Sequence, residues 1–373
     1  MNSELYIGLM SGTSMDAVDC ALVDLGAPDN NYLLDFINVD LPASLRTQLE
    51  TLCHQPEISL HLLGETDIAM AELFASAALS IIEKNQLNNS QIHAIGSHGQ
   101  TVYHQPPGQG KHPFSLQIAD PNTISALTGI TTVADFRRKD MALGGQGAPL
   151  LPLFHHHLFK SIESNRIILN IGGMANITLL RRGDTNIVGF DTGPGNILLD
   201  GWIHAQQGHL LDHEGSWAAS GNINQDFLTF LLEDTYFATP APKSTGREYF
   251  NLDWLNQQIE HFGRQLDAED IQATLCVLTS RTVADAITNL LPDGEVIVCG
   301  GGAANKQLMR NLSKDLSSFR VSASDSYGIN SSALEAVAFA WFAKQTLNRT
   351  PLDLSQITGS SRPTILGGIY YAE

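Results

Sequence analysis

The sequence predicts an α/β protein of two lobes, and three observations carry that prediction. The chain has 373 residues, more than one typical compact domain holds, which favours two lobes of ordinary size. Short β runs alternate with segments of helical periodicity along the chain. A strand, glycine turn, strand plan occurs at the N-terminus and again from Ile167, a duplication visible in pattern and not in residue identity.

Leu5 to Leu9 reads as a strand, Met10 to Asp16 as a tight turn and Ala17 to Leu25 as a second strand with an apolar face. Glu65 to Glu83 places Ile68, Leu73, Ala77, Leu79 and Ile82 at helical spacing, and Ala94 to Ser97 follows as a buried strand. Pro149 to Lys160 is expected to be helical, with Pro149 near a tolerated first-turn position. Arg166 to Ile171, Ala175 to Leu180 and Ile187 to Phe190 read as strands, the first two joined by Gly172-Gly173. Downstream, Pro194 to Gln206, Ile271 to Leu291, Asn305 to Ser317 and Ser332 to Leu347 are expected helices, and Glu295 to Cys299 a strand. No low-complexity run or Pro-rich linker divides the lobes, so the duplicated pattern alone places the boundary. It assigns 1–133 and a C-terminal segment from about 350 to 373 to the first lobe, and 134–349 to the second.

Composition narrows the function classes. Apolar residues at 43% and charged residues at 16% are the balance of a folded soluble protein. A formal charge of -18 repels polynucleotides and anionic membranes while leaving room for a local basic patch. Met1 to Leu9 runs into an apolar strand without the basic stretch and cleavage site of an export signal, so a cytoplasmic location is expected. Cys20, Cys53, Cys276 and Cys299 are scattered and form no CxxC pair, which suggests reduced thiols and neither a zinc site nor a disulfide framework.

Three glycine-rich turns are candidates for holding a phosphorylated ligand. Phosphoryl transfer needs the triphosphate held, its charge neutralised and the attacking oxygen aligned, and glycine lets backbone N–H groups converge into an anion-binding nest. Gly12-Thr13-Ser14-Met15-Asp16 is either such a cradle, with Asp16 reaching a magnesium ion through water, or an ordinary hairpin turn. Gly189 to Asn196 sets Asp191 at a strand end before a helix. A carboxylate there acts as general base, helps hold magnesium, or merely caps the helix. Val298 to Asn305 is a strand, three glycines and a helix, whose glycines let a nucleotide lie against the backbone. The GxGxxG and GxxxxGK[ST] fingerprints are absent, which weakens Rossmann and P-loop readings.

In this order the three turns resemble the two phosphate loops and the adenosine loop of the actin, sugar kinase and heat-shock chaperone superfamily. That resemblance implies a two-lobed actin-like ATPase (ribonuclease H-like) fold, with duplicated mixed-sheet lobes flanking a nucleotide cleft. The motifs at Gly8 to Asp16, Gly96 to Thr101 (Gly-Ser-His-Gly-Gln-Thr), Asn170 to Asn176 (Asn-Ile-Gly-Gly-Met-Ala-Asn) and Phe190 to Asn196 together resemble the anhydro-N-acetylmuramic acid kinase family. Ala134 to Arg137, Gly144 to Pro149 and Ser331 to Ala336 extend the match over nearly the whole chain, with one departure: Ala17 stands where the family pattern has Gly.

The resemblance implies an ATP- and Mg2+-dependent reaction on an amino sugar whose C1 and C6 share one oxygen. Water opens the bridge, ATP phosphorylates O6, and N-acetylmuramic acid 6-phosphate enters cell-wall recycling; the enzyme is expected to be a homodimer. Asp191 is implied as the general base, with Glu335 beside it holding the water. Gly12, Thr13, Ser14, Met15, Asp16, Asp19, Gly172, Gly173, Asn176, Gly193, Gly300, Gly301, Gly302 and Asn305 are implied around ATP and its phosphates. His98, Gln100, Thr101, Arg137 and Asn170 are implied around the sugar, and Asp16 and Asp191 as metal-facing carboxylates.

Plainer readings stand beside these. Glu335 also reads as a solvated helix residue, and Arg137-Arg138-Lys139 as a solvated basic loop, although a guanidinium suits the lactyl carboxylate of a muramic acid. His155-His156-His157 cannot converge on one metal ion, because consecutive helical residues point about 100° apart. Lys243, Ser244, Thr245 and Arg247 form a polar loop without an assigned role. An ordinary sugar kinase acting on a free hydroxyl and a non-enzymatic actin-like ATPase are the competing functions.

Overall fold

The computed structural model describes residues 3–12, 15–27, 32–55, 57–184, 186–241, 243–247 and 249–373. Thr13 and Ser14 of the first glycine turn lie outside the described residues. The chain forms two compact units, Met1–Phe154 with Ala333–Glu373, and His155–Ser332.

The first unit opens with β1 (Leu5–Ser11), β2 (Ala17–Asp24) and β3 (Leu33–Asp40), an antiparallel meander. All seven residues of β1 are buried, as a strand covered on both faces requires. Helices α1 (Ala43–His54) and α2 (Leu60–Lys84) follow, α2 started by the Ser59 hydroxyl accepting the Leu62 N–H at 3.0 Å. Then come β4 (Ile92–Gln105), β5 (Phe114–Ile118), α3 (Pro121–Thr128), β6 (Thr132–Ala134) and α4 (Arg138–Ala142). α5 (Leu151–Phe159) crosses the division between units. It starts later than the sequence suggests, so Pro152, and not Pro149, occupies its first turn.

The second unit repeats the plan with β7 (Arg166–Ile171), β8 (Met174–Leu180) and β9 (Ile187–Pro194), again antiparallel. Helices α6 (Ile197–Gln207), α7 (Gln225–Leu232), α8 (Thr235–Ala238), α9 (Leu252–Phe262) and α10 (Ala268–Thr288) lead to β10 (Gly294–Cys299), α11 (Lys306–Asp315) and β11 (Phe319–Ala323). The helix expected from Pro194 begins only at Ile197, because β9 runs on through Asp191 to Pro194. Asn305 caps α11 with its Oδ1 on the Leu308 N–H at 2.9 Å.

After β11 the chain returns to the first unit as α12 (Leu334–Leu347) and β12 (Gly368–Tyr370). Strand orders are β12-β6-β4-β1-β2-β3, with β5 on β4, and β11-β10-β7-β8-β9. Apart from the added β12 and β5 the two orders coincide, with parallel pairs at β1–β4 and β4–β6 matched by β7–β10 and β10–β11. The duplication read from pattern is therefore a duplication of topology.

The units divide at Phe154/His155 and Ser332/Ala333, not at 133/134 and about 350. The second difference has a specific cause. Gly8 and Gly96 are register partners on β1 and β4, and α12 lies directly on them. A Cβ at Gly8 would stand 1.7 Å from the Ala336 carbonyl oxygen, and one at Gly96 2.0 Å from that of Phe339. Paired glycines remove the side-chain layer between helix and sheet, so α12 belongs to the sheet it touches and not to the strand it follows.

Each unit has its own core. Phe74, Leu49 and Ile81 anchor the first, and Phe227, Phe250 and Leu255 the second. Each such buried side chain contributes about 1.5–3 kcal/mol.

Candidate active site

In the first unit the described part of the N-terminal glycine turn is braced from β4. Gln100 is buried, its Oε1 accepts the Ser11 hydroxyl at 2.7 Å and its Nε2 donates to the Thr101 carbonyl at 3.1 Å. Gln100 thus holds the turn in place, whereas a sugar contact was expected of it. Thr101 Oγ1 accepts from Gln117 Nε2 at 3.1 Å. Met15 donates its N–H to the Gly12 carbonyl at 3.2 Å and sits at φ 53, a left-handed conformation that costs a non-glycine residue energy and clusters at ligand sites. Ala17, where the family pattern has Gly, begins β2 without a positive φ, so its Cβ is accommodated.

Three carboxylates gather around this turn. Burial pushes the Asp19 carboxyl up to about 7, against the hydrogen bond from Asn38 and reinforced by the charges of Glu335 and Asp16. Glu335 stands in the first turn of α12, where the helix dipole favours an anion. Among the described residues no three His, Cys, Asp or Glu side chains form a metal cage. Asp16 and Asp19 instead fit an ion that keeps several waters and takes one or two carboxylates plus phosphate oxygens, as Mg2+ does.

Arg137 and His98 form the second feature of this unit. Arg137 Nε and Nη2 lie 3.0 and 2.8 Å from His98 Nε2, and Nη1 donates to the Gly147 carbonyl at 2.8 Å. His98 Nδ1 lies 2.9 Å from the Gly99 carbonyl, so Nδ1 carries the proton and Nε2 accepts from the guanidinium. Burial first, and then the Arg137 charge, hold the His98 imidazole well below its usual range. Burial brings the Arg137 guanidinium down to about 10, with Glu335 and Asp140 opposing that shift. His98 packs on Phe339 of α12 with ring centres 4.6 Å apart and the planes tilted by 41°. A cavity of about 210 Å³ adjoins this pair, lined in part by Ser97, His98, Gly99, Asp135 and Arg138. Arg137 is thus a half-buried, oriented cation, and Arg138 is the more exposed one, paired loosely with Asp135 at 3.5 Å.

In the second unit three glycine segments meet at backbone contact. Gly195 donates its N–H to the Gly173 carbonyl at 2.8 Å and Asn196 to the Gly172 carbonyl at 2.8 Å. A Cβ on Gly195 would stand 2.4 Å from the Gly172 oxygen, and one on Gly300, at φ 78, 2.4 Å from Asn170 Oδ1. Gly301 lies beside Asn196, and Gly302 is packed on Ile171. The turn after β7, the segment after β9 and the loop after β10 are thereby one assembly with Asn170 inside it. Asn305 is committed to capping α11 and packs on Gly215.

Asp191 is set on β9 opposite Asn176, and the register slips beside it, Ala175 facing Gly193 and Asn176 facing Asp191. Thr192 is the extra residue of this bulge and donates its hydroxyl to the Ala175 carbonyl at 3.1 Å. Asp191 Oδ2 accepts the Thr245 N–H at 2.9 Å, the Asp191 N–H donates to the Lys243 carbonyl at 3.0 Å, and Tyr236 donates its hydroxyl to the Asp191 carbonyl at 2.8 Å. The sequence left the segment from Lys243 to Arg247 without a role; its four polar residues and one glycine after a proline give no periodic or motif signal. His155 Nδ1 lies 2.9 Å from the Thr178 hydroxyl, and burial lowers its imidazole to about 3, the state of a core histidine.

The duplicated sheets and the glycine assembly define the actin-like ATPase and sugar kinase fold. The fold is shared with an activator of the 2-hydroxyisocaproyl-CoA dehydratase from Clostridium difficile solved with bound ADPNP. The TM-score is 0.50 at 12% identity, covering 94% of this chain and 99% of that one. A family profile described as anhydro-N-acetylmuramic acid kinase matches residues 4–372. Curated relatives bearing that name are 50% identical over 375 residues in Coxiella burnetii, covering 100% of this chain and 99% of the relative. In Shewanella halifaxensis the figure is 48% over 373 residues, covering both chains fully. The chain belongs to the anhydro-N-acetylmuramic acid kinase family.

Proposed function

We propose that the chain is an ATP-dependent kinase that opens the 1,6-anhydro bridge of anhydro-N-acetylmuramic acid and phosphorylates O6, giving N-acetylmuramic acid 6-phosphate and ADP. The observation that carries the reading is a carboxylate, Asp191, fixed at a β-bulge beside three converging glycine turns. Asp191 takes a proton from the water that attacks C1; the C1–O bond breaks, and the freed O6 attacks the γ-phosphate, whose bond to ADP breaks. The glycine turns present backbone N–H groups to the nucleotide. Asp16 and Asp19 would hold Mg2+, which neutralises phosphate charge.

Arg137 holds the lactyl carboxylate of the sugar. A guanidinium has five N–H donors, and three contacts to His98 and Gly147 leave others for a carboxylate. Glu335 positions the attacking water, and Thr101 and Asn170 support the sugar. An acidic chain with no described helix long and apolar enough to cross a membrane supports work in the cytoplasm.

Incubation with the anhydro sugar, ATP, Mg2+ and isotopic water tests the reaction. The label is expected at C1 of a phosphorylated product, read by mass spectrometry. Phosphorylation with the bridge intact would establish an ordinary sugar kinase, and sugar-independent ATP turnover an actin-like ATPase. Homodimer formation is part of the same reading and is checked by sedimentation, where a 40.4 kDa species at all concentrations refutes it.

A further inference from the structure

The segment that encloses Asp191 makes a group of polar contacts in the second unit that the proposed reaction does not use. Three points of Asp191 are fixed by one stretch of chain: its carboxylate by the Thr245 N–H at 2.9 Å, its N–H by the Lys243 carbonyl at 3.0 Å, and its carbonyl by the Tyr236 hydroxyl at 2.8 Å. Lys243 is itself strapped down. Its ammonium donates to the Tyr236 carbonyl at 3.0 Å and the Phe237 carbonyl at 3.4 Å, and sits 4.4 Å from the centre of the Tyr236 ring. A cation held this way is tied to the base without being free to follow a mobile phosphate.

We propose that Lys243 is a positioning residue for the catalytic base: its main chain orients Asp191, and its anchored ammonium holds the segment that aims that carboxylate. The proposal rests on the reading of Asp191 as base. Three features support it. The Lys243 ammonium is destabilised by burial and stabilised by Asp191, so the attraction is mutual. Tyr236 is held protonated, its hydroxyl pushed up by burial and then by Asp191, which makes it a donor throughout the working range. Thr245 Oγ1 is buried without a hydrogen-bond partner beside the N–H that Asp191 uses, a cost that a bound water or sugar oxygen would relieve.

Lys243 and Tyr236 are titratable groups that interact with Asp191. β8 opposes it with Asn176, and α10 reaches β9 and the residue after it through Thr279 and Thr282. None of those three titrates.

Lys243→Gln removes the charge and keeps a donor for the Tyr236 carbonyl; Lys243→Arg keeps the charge. The test uses full-length protein, the anhydro sugar and ATP. For Lys243→Gln, kcat is expected to fall roughly tenfold or more, with both KM values within about twofold. Lys243→Arg restores kcat, because it keeps the cation that ties the segment down. In an Asp191→Asn background, Lys243→Gln costs no further turnover, since the residue acts through the carboxylate. Higher KM with kcat unchanged overturns the proposal and makes Lys243 a ligand-binding cation. A full additional loss in the Asp191→Asn background also overturns it. Near-normal turnover of Asp191→Asn alone would instead defeat the base assignment, and that result is read without any change at Lys243. Should Lys243→Gln fail to fold, Lys243→Met is assayed in its place with the same outcomes.

Discussion

The contact between α12 and the first sheet gives the sharpest quantitative test. In Gly96→Ala the new Cβ would stand 2.0 Å from the Phe339 carbonyl oxygen, and ordinary contact begins at 3.4 Å. Helix and strand must therefore separate by more than 1 Å (3.4 minus 2.0 gives 1.4 Å), and both colliding groups are backbone, so no rotamer can relieve the clash. Overpacking of this kind typically costs about 1–3 kcal/mol, and a backbone clash on a buried helix belongs at the upper end. For a unit of this size, about 2–3 kcal/mol lowers the melting temperature by roughly 4–10 °C. Activity should fall further than stability explains, because the same helix carries Glu335 and the Phe339 ring that supports His98. Gly64→Ala is the control: a Cβ there meets nothing within 4 Å on the surface of α2, and the substitution should stabilise by about 0.5–1 kcal/mol. Thermal melts and steady-state assays of both variants decide the matter. A Gly96→Ala protein within about 0.5 kcal/mol of the unsubstituted chain would refute the account of why α12 docks where it does.

Asp191→Asn should lower kcat by about 10²–10⁴-fold with the fold intact, the usual worth of a positioned general base; near-normal turnover in a product-release assay would require another base. Arg137→Lys should raise the KM for the anhydro sugar roughly tenfold or more while leaving that for ATP alone, because the planar fork that meets both His98 and a carboxylate is lost. His98, His104 and His155 stay neutral when folded, with His104 brought down to about 4 and His155 to about 3 mainly by burial. Their folded pKa values lie below the unfolded value of 6.5, so the unfolded chain binds the extra protons. Stability then declines as pH falls below 6.5, by about 1.4 kcal/mol per pH unit for each fully buried neutral histidine until its folded pKa is reached. Denaturant midpoints that are flat between pH 6.5 and 5 would contradict this. Chelation of divalent cations with EDTA should abolish phosphoryl transfer and leave the melting curve of the ligand-free protein unchanged.

Much of the site was legible because its elements are local. The strand, glycine turn, strand units at Leu5 to Asp24 and Arg166 to Leu180 announce themselves by apolar runs broken by glycine, each carrying a turn within its own unit. Asp191 stands out in the sequence as a carboxylate among glycines, whereas Arg137 was singled out within its basic run by the resemblance to the family. Gln100 braces the first turn, a task that its local sequence does not distinguish from facing a ligand. The strand at Leu33–Asp40 went unassigned because polar and apolar residues mix there without a clear period, whereas the helices at Ala43–His54, with Leu45, Leu49 and Leu52, and Leu252–Phe262, with Leu252, Leu255, Ile259 and Phe262, carry a helical spacing that the sequence does show.

By itself the sequence determined the α/β alternation, the duplicated plan, the positions of the glycine turns and the family, since each is written in patterns a few residues long. Only the tertiary structure decided that α12 belongs to the first unit, that Gly8 and Gly96 are its seat, that His98 is a neutral acceptor for Arg137, and that the stretch around Lys243 encloses Asp191. Those facts depend on which backbones can approach one another and which polar groups must then find partners away from water. Contacts between residues tens to hundreds of positions apart satisfy both demands, and no local pattern encodes them.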